Sequence, residues 1–213
     1  YPLRRQRQMC IRDSNQTKDE GIKPTPSIGG VGLIKDYTKM ITMDFKEVDN
    51  VVLVIGKTEG HIDQSLFARV ILDEKNGPPP EINLFNEKNN GETLLKLIDS
   101  NLIKSAHDIS LGGIITAVSK MCINGNKGIN LKKPKFLINE IEYFFAEDQG
   151  RYIVEISKKD QKKVLDILTK NAVHYDELGT INENMLFINE KTKVTIDELK
   201  GFNTRWLKEY MSN

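Results

Sequence analysis

The sequence predicts an α+β fold, a mixed β-sheet with flanking helices. Short apolar runs typical of buried strands, such as Val51–Ile55 and Tyr152–Ile156, alternate along the chain with amphipathic segments typical of helices. Other predicted strands are too closely spaced for the helical crossover that joins parallel neighbours; only Asn182-Glu183-Asn184 separates the strands at 174–181 and 185–188. A mixed sheet is therefore favoured over a doubly wound parallel one.

Composition narrows the class of protein. With 213 residues and 38% hydrophobic content, the chain is long enough to bury the core of one domain. Its 31 basic and 30 acidic residues are interspersed, so no basic face for nucleic acid is predicted. We predict no membrane segment and no secretory signal, because no apolar run approaches about 20 residues. Two cysteines, Cys10 and Cys122, make a disulfide framework improbable and favour a reducing, cytoplasmic location.

The N-terminal segment differs from the rest. Residues 1–14 (YPLRRQRQMCIRDS) carry four arginines against one acid and have no apolar period. The segment resembles translated sequencing-adapter read-through, so we predict an artefactual, unstructured leader; the alternative is a basic arm for nucleic acid or targeting. Without it the chain has 27 basic (31 − 4) and 29 acidic (30 − 1) residues, a net charge of −2.

Residues 15–32 are predicted to form a linker. They end in Pro24-Thr25-Pro26-Ser27-Ile28-Gly29-Gly30-Val31-Gly32, where two prolines fix φ and three glycines free it. A phosphate-binding loop would need a strand before the glycines and a helix after them, whereas prolines precede this run. The domain proper is then predicted to span residues 33–213.

Further elements follow from hydrophobic periodicity. Strands are expected at Ile41–Phe45 and Val51–Ile55, the second buried on both faces. Helices are expected at 66–71, at 84–104 with an interruption at Asn89-Asn90-Gly91, at 114–123, at 160–168 and at the C-terminus. The spacing of the C-terminal segment is suited to packing, so the single tryptophan, Trp206, is predicted to be a core anchor.

The stretch Ser105–Ile114 (SAHDISLGGI) organises the chain. Asp108 and Ser110 precede Gly112 and Gly113, and an apolar helical run begins at once. Glycines at such a turn let the backbone approach a ligand, and the free N–H groups of the next helix attract an anion. A tight turn with a capping serine fits the same spacing, so both interpretations stay open.

A second candidate site is the acidic turn Glu147-Asp148-Gln149. These side chains, between aromatic residues and Gly150, are suited either to a ligand hydroxyl or metal or to an exposed turn. His61 is either a base or a surface residue before a helix. The residues alone therefore predict an α+β domain with one glycine turn and one acidic turn, and they contain no HExxH, GxSxG, Walker or paired-cysteine motif.

A family resemblance adds to these predictions. In order along the chain stand NQTKDEGIKPTPSIGGVGLIKD, GHIDQSLFARVIL, GPPPEINLFNEKNNGETLLKLI, SAHDISLGGIITAVSKM, FFAEDQGRYIVEI and WLKEYM. This series resembles the C-terminal end of the large, synthetase subunit of phosphoribosylformylglycinamidine synthase and covers Asn15 to Met211. The pairing of PTPSIGGVG with SAHDISLGG is the specific part. A C-terminal domain of aminoimidazole ribonucleotide synthetase is the disfavoured relative, since PTPSIGGVG and WLKEYM fit the first family better.

The resemblance implies a PurM-like C-terminal domain. In the family, one chain carries two synthetase pairs, each with an N-terminal and a C-terminal domain, and this chain resembles the last domain of the second pair. It implies a whole enzyme that uses ATP and Mg²⁺, bound mostly by the earlier domains, to form an amidine in purine biosynthesis. The implied partners are those earlier domains, a small structural subunit and a glutaminase subunit. Of the ligand-binding segment that precedes the linker in the family, only Asn15-Gln16-Thr17 is preserved here. The chain alone is therefore expected to be inactive. A purely structural, subunit-contacting domain is the competing hypothesis.

The resemblance also points to site residues. By pseudo-symmetry with the earlier C-terminal-type domain, substrate contacts are implied for one set of residues: Asp108, Ser110, Gly112, Gly113, Glu147, Asp148 and Gln149. No catalytic residue is assigned, and the metal ligands stay open. The chain has Leu111 where the family usually has an acid, so a backbone role for the turn is favoured, with Leu111 facing apolar neighbours.

Overall fold

The computed structural model describes residues 16–17, 20–21, 29–132, 139–188 and 192–212. The chain divides into two compact units, residues 1–37 and 38–213. In the first unit, β1 (Gln16–Thr17) pairs antiparallel with β2 (Glu20–Gly21). The predicted leader at 1–14 and most of the predicted linker lie outside the described residues. Of the segment after them, Val31 and Leu33 are fully exposed.

The second unit is built on a seven-stranded mixed sheet, which confirms the predicted fold class. Its strands are β3 (Val51–Ile55), β4 (Ser105–Asp108), β5 (Gly128–Leu131), β6 (Tyr152–Ile156), β7 (Tyr175–Asn182), β8 (Met185–Ile188) and β9 (Thr192–Thr195). They lie in the order β4-β6-β3-β7-β5-β8-β9. The β5–β8 pair is parallel, and the other neighbours are antiparallel. The edge strand β4 carries the residues that lead into the glycine turn.

Six α-helices are described: α1 (Leu66–Ile71), α2 (Leu84–Asp99), α3 (Gly113–Gly125), α4 (Glu140–Phe145), α5 (Gln161–Lys170) and α6 (Ile196–Met211). Short 3₁₀ turns lie at Tyr37–Lys39 and Lys158–Asp160. Most of the α-helices begin at a local side-chain cap. Ser65 caps α1, and Thr195 and Glu198 form a reciprocal capping box on α6. The helix α3 differs, because Gly112 precedes it in a left-handed conformation and no side chain caps it.

The core consists of two apolar layers, one on each face of the sheet. The strand β3 shows the division, because Val52 and Val54 pack towards α3 and α4 while Val51, Leu53 and Ile55 pack towards α2 and α5. Side chains alternate across a strand, so a strand covered by helices on both faces is apolar at every position. All five residues of β3 are buried, as the sequence predicts.

Two of the predicted elements are wrong. Ile41–Phe45 forms no strand; the segment makes isolated hydrogen bonds, from Ala106 N to Thr42 O and from Phe45 N to Met121 O, instead of a ladder. The interruption at Asn89-Asn90-Gly91 is also absent, and α2 runs through it. There the amides bind other segments rather than their own backbone: Asn90 donates to Gly150 O at 3.0 Å and Asn89 to Asn171 O at 2.9 Å.

The C-terminal helix corrects a further prediction. Trp206 is 66% exposed and is not a core anchor. The helix packs on the core through Ile196 and Leu199 at its start, whereas residues 201–212 are all exposed. Sequence periodicity misses the short strands β5 and β9, and β9 leads directly into this helix. Among the described residues, no helix is long and apolar enough to cross a bilayer.

Candidate functional site

The glycine turn follows the edge strand directly. Ile109 N donates to Arg151 O at 2.9 Å, and the chain then turns through Gly112 (φ 85°) and Gly113 (φ 69°). A Cβ on Gly113 would lie 2.7 Å from each of three backbone atoms of α4 and the residue after it, namely Phe144 O, Phe145 C and Ala146 O. Both a left-handed backbone and a close approach therefore require glycine here, as the backbone interpretation of the turn predicts.

Glu147 joins this turn to the start of α1. One carboxylate oxygen, Oε1, accepts hydrogen bonds from Gly112 N at 2.8 Å and from Leu66 N at 2.7 Å. The two backbone nitrogens can thus be at most 5.5 Å apart (2.8 + 2.7). A carboxylate that accepts from the first N–H of a helix also interacts favourably with the helix dipole. Glu147 accordingly holds together two segments 46 residues apart (112 − 66).

Asp148 fixes a third segment, the loop before α1. Its carboxylate accepts from three successive backbone N–H groups, those of Glu59, Gly60 and His61, at 3.0–3.2 Å. The residue is 6% exposed. A buried carboxylate is tolerated when donors of this kind replace water.

Arg151 lies beside Asp148 and is 1% exposed, with 3.7 Å between Nη2 and Asp148 Oδ2. The guanidinium donates to Thr58 Oγ1 and to the carbonyls of Ala146 and Asp148. Burial lowers the pKa of Arg151, and the charge of Asp148 opposes that shift. Arg151 and Asp148 together connect the 146–151 turn to the 58–61 loop, and their opposite charges compensate each other. Neither side chain is therefore available to contact a ligand.

A concavity of about 270 Å³ lies over these segments. It is lined by Asp108, Ser110, Glu147 and Gln149, together with Glu87, Leu111 and Tyr152. The structure thus brings the glycine turn and the acidic turn to one concave surface. Asp108, with 63% of its side chain exposed, and the exposed Ser110 and Gln149 are open to it. Gly112 and Gly113 are buried, and the buried Asp148 lines a neighbouring cavity instead. That these residues contact substrate stays a prediction.

The expected position of Leu111 is wrong. Its side chain is 53% exposed and lines the concavity instead of facing apolar neighbours. The left-handed Gly112 and the tight seat of Gly113 against α4 set the direction of the turn and leave Leu111 on the outside. The capping-serine interpretation also lacks support, because Ser110 contributes its backbone carbonyl, which accepts from Gly113 N, and α3 has no side-chain cap.

The concavity has a negative lining. Burial, together with the charges of Glu87 and Asp108, raises the pKa of Tyr152. The nearby cation, Arg151, is buried and engaged. A bare phosphate is therefore not favoured here, and among the residues that the structure describes no group of three His, Cys, Asp or Glu side chains could hold a metal ion. The described residues therefore do not fit a resident metal centre.

Two histidines that sequence reasoning passed over or left open have structural partners. His107 Nδ1 lies 3.0 Å from Asp108 Oδ1, which orients the carboxylate at the rim. His61 Nε2 lies 3.0 Å from Pro78 O, and His61 lines an adjoining polar cavity of about 510 Å³ that shares Glu87 and Gln149 with the concavity but not Asp108. Glu87 and Tyr152 were also missed as lining residues. No local motif marks them, because α2 and β6 bring them to the concavity through tertiary packing.

Comparison with known proteins defines the class. Residues 47–187 match the model of the AIR synthase related protein C-terminal domain family, and the chain belongs to that family.

The relatives in this class are more specific. The chain is 70% identical over 199 residues to phosphoribosylformylglycinamidine synthase subunit PurL of Pelagibacter ubique (strain HTCC1062), and 36% identical over 198 residues to the same subunit of Rhodopseudomonas palustris (strain HaA2). Each alignment covers 93% of this chain and 27% of the relative, so the chain spans about a quarter of their length.

Solved structures share the fold. T. maritima PurL complexed with FGAR matches with a TM-score of 0.62 and 20% identity, covering 76% of this chain and 29% of that one. T. maritima PurL complexed with ATP matches with a TM-score of 0.58, 20% identity and coverage of 76% and 27%. At this identity the likeness concerns the fold alone.

Proposed function

We propose that this chain is the C-terminal part of an ATP-dependent synthetase subunit that converts formylglycinamide ribonucleotide into formylglycinamidine ribonucleotide in purine biosynthesis. The observation that carries the proposal is the 70% identity, over 93% of the chain, to a phosphoribosylformylglycinamidine synthase subunit. In the proposed reaction the formamide oxygen is activated as a phosphate ester and replaced by ammonia from glutamine, with release of ADP and phosphate. The chain would be a carbon–nitrogen ligase domain that works only when joined to the rest of its subunit.

The division of labour follows from the charges on the concave surface. ATP would be bound mostly by other domains, because three carboxylates line this surface and its arginine is engaged. Mg²⁺ would be bound there too, because among the described residues no group of three His, Cys, Asp or Glu side chains could hold a metal ion. The proposed partners are the earlier domains of the same subunit, a small structural subunit and a glutaminase subunit; one solved relative is PurLQS from Thermotoga maritima. We expect a cytoplasmic enzyme without nucleic-acid or membrane partners.

Within this domain we propose two kinds of site residue. Asp108, Ser110 and Gln149 would contact substrate, because their side chains are open to the concavity. Their chemistry suits hydroxyl or amide hydrogens, since a carboxylate accepts and a hydroxyl or amide both accepts and donates. Gly112, Gly113, Glu147 and Asp148 would act as positioning residues, because their contacts are to backbone.

The competing function is a structural, subunit-contacting domain without ligand. One observation favours it: Asp148 and one oxygen of Glu147 are already occupied by backbone N–H groups. The two functions make opposite predictions for Asp108, whose side chain is 63% exposed and is hydrogen-bonded to the neighbouring His107.

Turnover measurements test the proposal. The complete subunit, expressed from the gene that encodes this chain, is expected to release ADP when given formylglycinamide ribonucleotide, ATP, Mg²⁺ and ammonia. The 213-residue chain is expected to release none under the same conditions. Ammonia-dependent ADP release by the 213-residue chain would contradict the division between domains. Lack of release by the complete, folded subunit would contradict the function itself.

A further inference from the structure

The second half of α6 presents an aromatic stripe to solvent. Phe202, Trp206 and Tyr210, spaced four residues apart and therefore on one helix face, are 63%, 66% and 68% exposed. Trp206 and Tyr210 stack at 5.5 Å with 15° between their ring planes. Leu207 and Met211, 56% and 75% exposed, widen the apolar surface beside them.

This stripe continues a face that is already packed. Ile196 is 3% exposed and Leu199 lies against the core, one turn before Phe202. The same side of one helix is thus buried at its start and uncovered at its end. An amphipathic helix gains most of its stability from packing such a face, so an exposed half with three exposed rings is suited to a further contact.

The size of the stripe limits what covers it. An aromatic side chain offers about 150–250 Å². Three rings that are about two-thirds exposed therefore present on the order of 400 Å². Even with Leu207 and Met211 beside them, the surface is smaller than the roughly 800 Å² that each partner contributes to a stable interface. Two copies of this chain joined through the stripe alone would fall short of a stable dimer. A contact within one polypeptide needs less area, because the two surfaces are held at high effective concentration.

The length of the relatives indicates the occupant. They are nearly four times as long as the aligned region, which makes up 27% of their length. We propose that the aromatic stripe of α6 docks on another domain of the same polypeptide. The docking surface would be apolar and would carry acceptors for the Trp206 indole N–H and the Tyr210 hydroxyl, because both groups need partners when they are buried.

Hydroxyl-radical footprinting tests the docking directly, because it reports the solvent exposure of individual side chains. The rate of modification at Trp206 and Tyr210 is compared between the 213-residue chain and the complete subunit. We expect a decrease of fivefold or more at both residues in the complete subunit. Leu95, an exposed apolar residue on α2 at 62%, serves as the matched control and is expected to keep its rate.

A variant pair separates docking from folding. Trp206→Lys is expected to leave the melting temperature of the 213-residue chain unchanged, because the side chain is exposed there, and to restore rapid modification of Tyr210 in the complete subunit. Leu95→Lys, also at an exposed position, is likewise expected to leave the melting temperature unchanged, but it should not restore modification of Tyr210. If the 213-residue chain does not fold, the modification rate of Tyr210 in the complete subunit, compared between wild type and Trp206→Lys, still tests the docking.

Other occupants give different results. Equal rates at Trp206 in chain and subunit would overturn the proposal. So would protection that arises only when separate subunits are added, or sedimentation of the 213-residue chain as a dimer that Trp206→Lys dissociates. None of these readouts depends on turnover, so the docking can fail while the proposed function holds, and the reverse.

Discussion

A single methyl group at Gly113 is expected to destabilise the domain by about 2–5 kcal/mol. An L-residue in the left-handed region costs about 1–2 kcal/mol, and Gly113 has φ 69°. The new Cβ would lie 2.7 Å from Phe144 O, Phe145 C and Ala146 O. These are backbone atoms that cannot rotate away, so relief of the contact requires α3 and α4 to separate, and overpacking of this kind costs about 1–3 kcal/mol.

The assay is equilibrium urea unfolding of Gly113→Ala, followed by far-UV circular dichroism. The matched control is Gly201→Ala in α6, where a Cβ meets nothing within 4 Å. The control is expected to be neutral or to stabilise by about 0.5–1 kcal/mol, because alanine is the better helix former. A loss below about 0.5 kcal/mol for Gly113→Ala would refute the argument that this turn requires glycine.

Two further predictions concern buried groups. Glu155 is fully buried, and its carboxylate accepts hydrogen bonds from Lys46 N, Glu47 N, Asn50 Nδ2 and Ser105 Oγ. Glu155→Ala leaves these donors unpaired and should lower the free energy of unfolding, measured in urea, by about 3 kcal/mol or more. The same change at the exposed Glu74 should lower it hardly at all. Burial raises the pKa of the Cys122 thiol from 9.0 to about 12. At pH 8, mass-spectrometric mapping should therefore find Cys122 alkylated only in urea, and alkylation at the native rate of a free thiol would contradict its burial. The thiol ionises at lower pH in the unfolded chain than in the folded one. The contribution of Cys122 to the free energy of unfolding is therefore full below pH 9 and decreases by about 1.4 kcal/mol per pH unit up to about pH 12. Between pH 8 and pH 10, Cys122→Ala should lose less unfolding free energy than the wild type.

Local periodicity predicted the elements whose surroundings are simple. The run Val51–Ile55 is apolar at every position because helices cover both faces of the sheet, and that requirement is visible in the sequence. The glycine pair was also predictable, because glycine is the residue that most readily adopts the left-handed conformation needed at such a turn before a helix. In contrast, β5 and β9 are only four residues each and depend on pairing with β7 and β8.

Tertiary contacts decided the rest. Asn90 and Gly91 have the composition of a helix break, but Asn90 binds Gly150 O and the helix continues. Glu147 and Asp148 have the composition of an exposed or ligand-binding turn. Their carboxylates instead accept hydrogen bonds from backbone N–H groups of segments that lie more than 30 residues away in sequence. Nothing local to residues 147–148 distinguishes these uses, because the donors come from other parts of the chain.

The most direct test of the account is Asp108→Asn in the complete subunit. Asp108 is a charged side chain at the concavity; it is 63% exposed and is hydrogen-bonded to the neighbouring His107. Turnover is expected to fall by about tenfold or more, as for the loss of one charged contact of about 1.4 kcal/mol, with a melting temperature within about 1 °C of wild type. Asp73→Asn, an exposed change away from the concavity, serves as the control and should alter neither quantity. Wild-type turnover in Asp108→Asn would contradict a substrate contact in this domain and leave the concavity a structural feature.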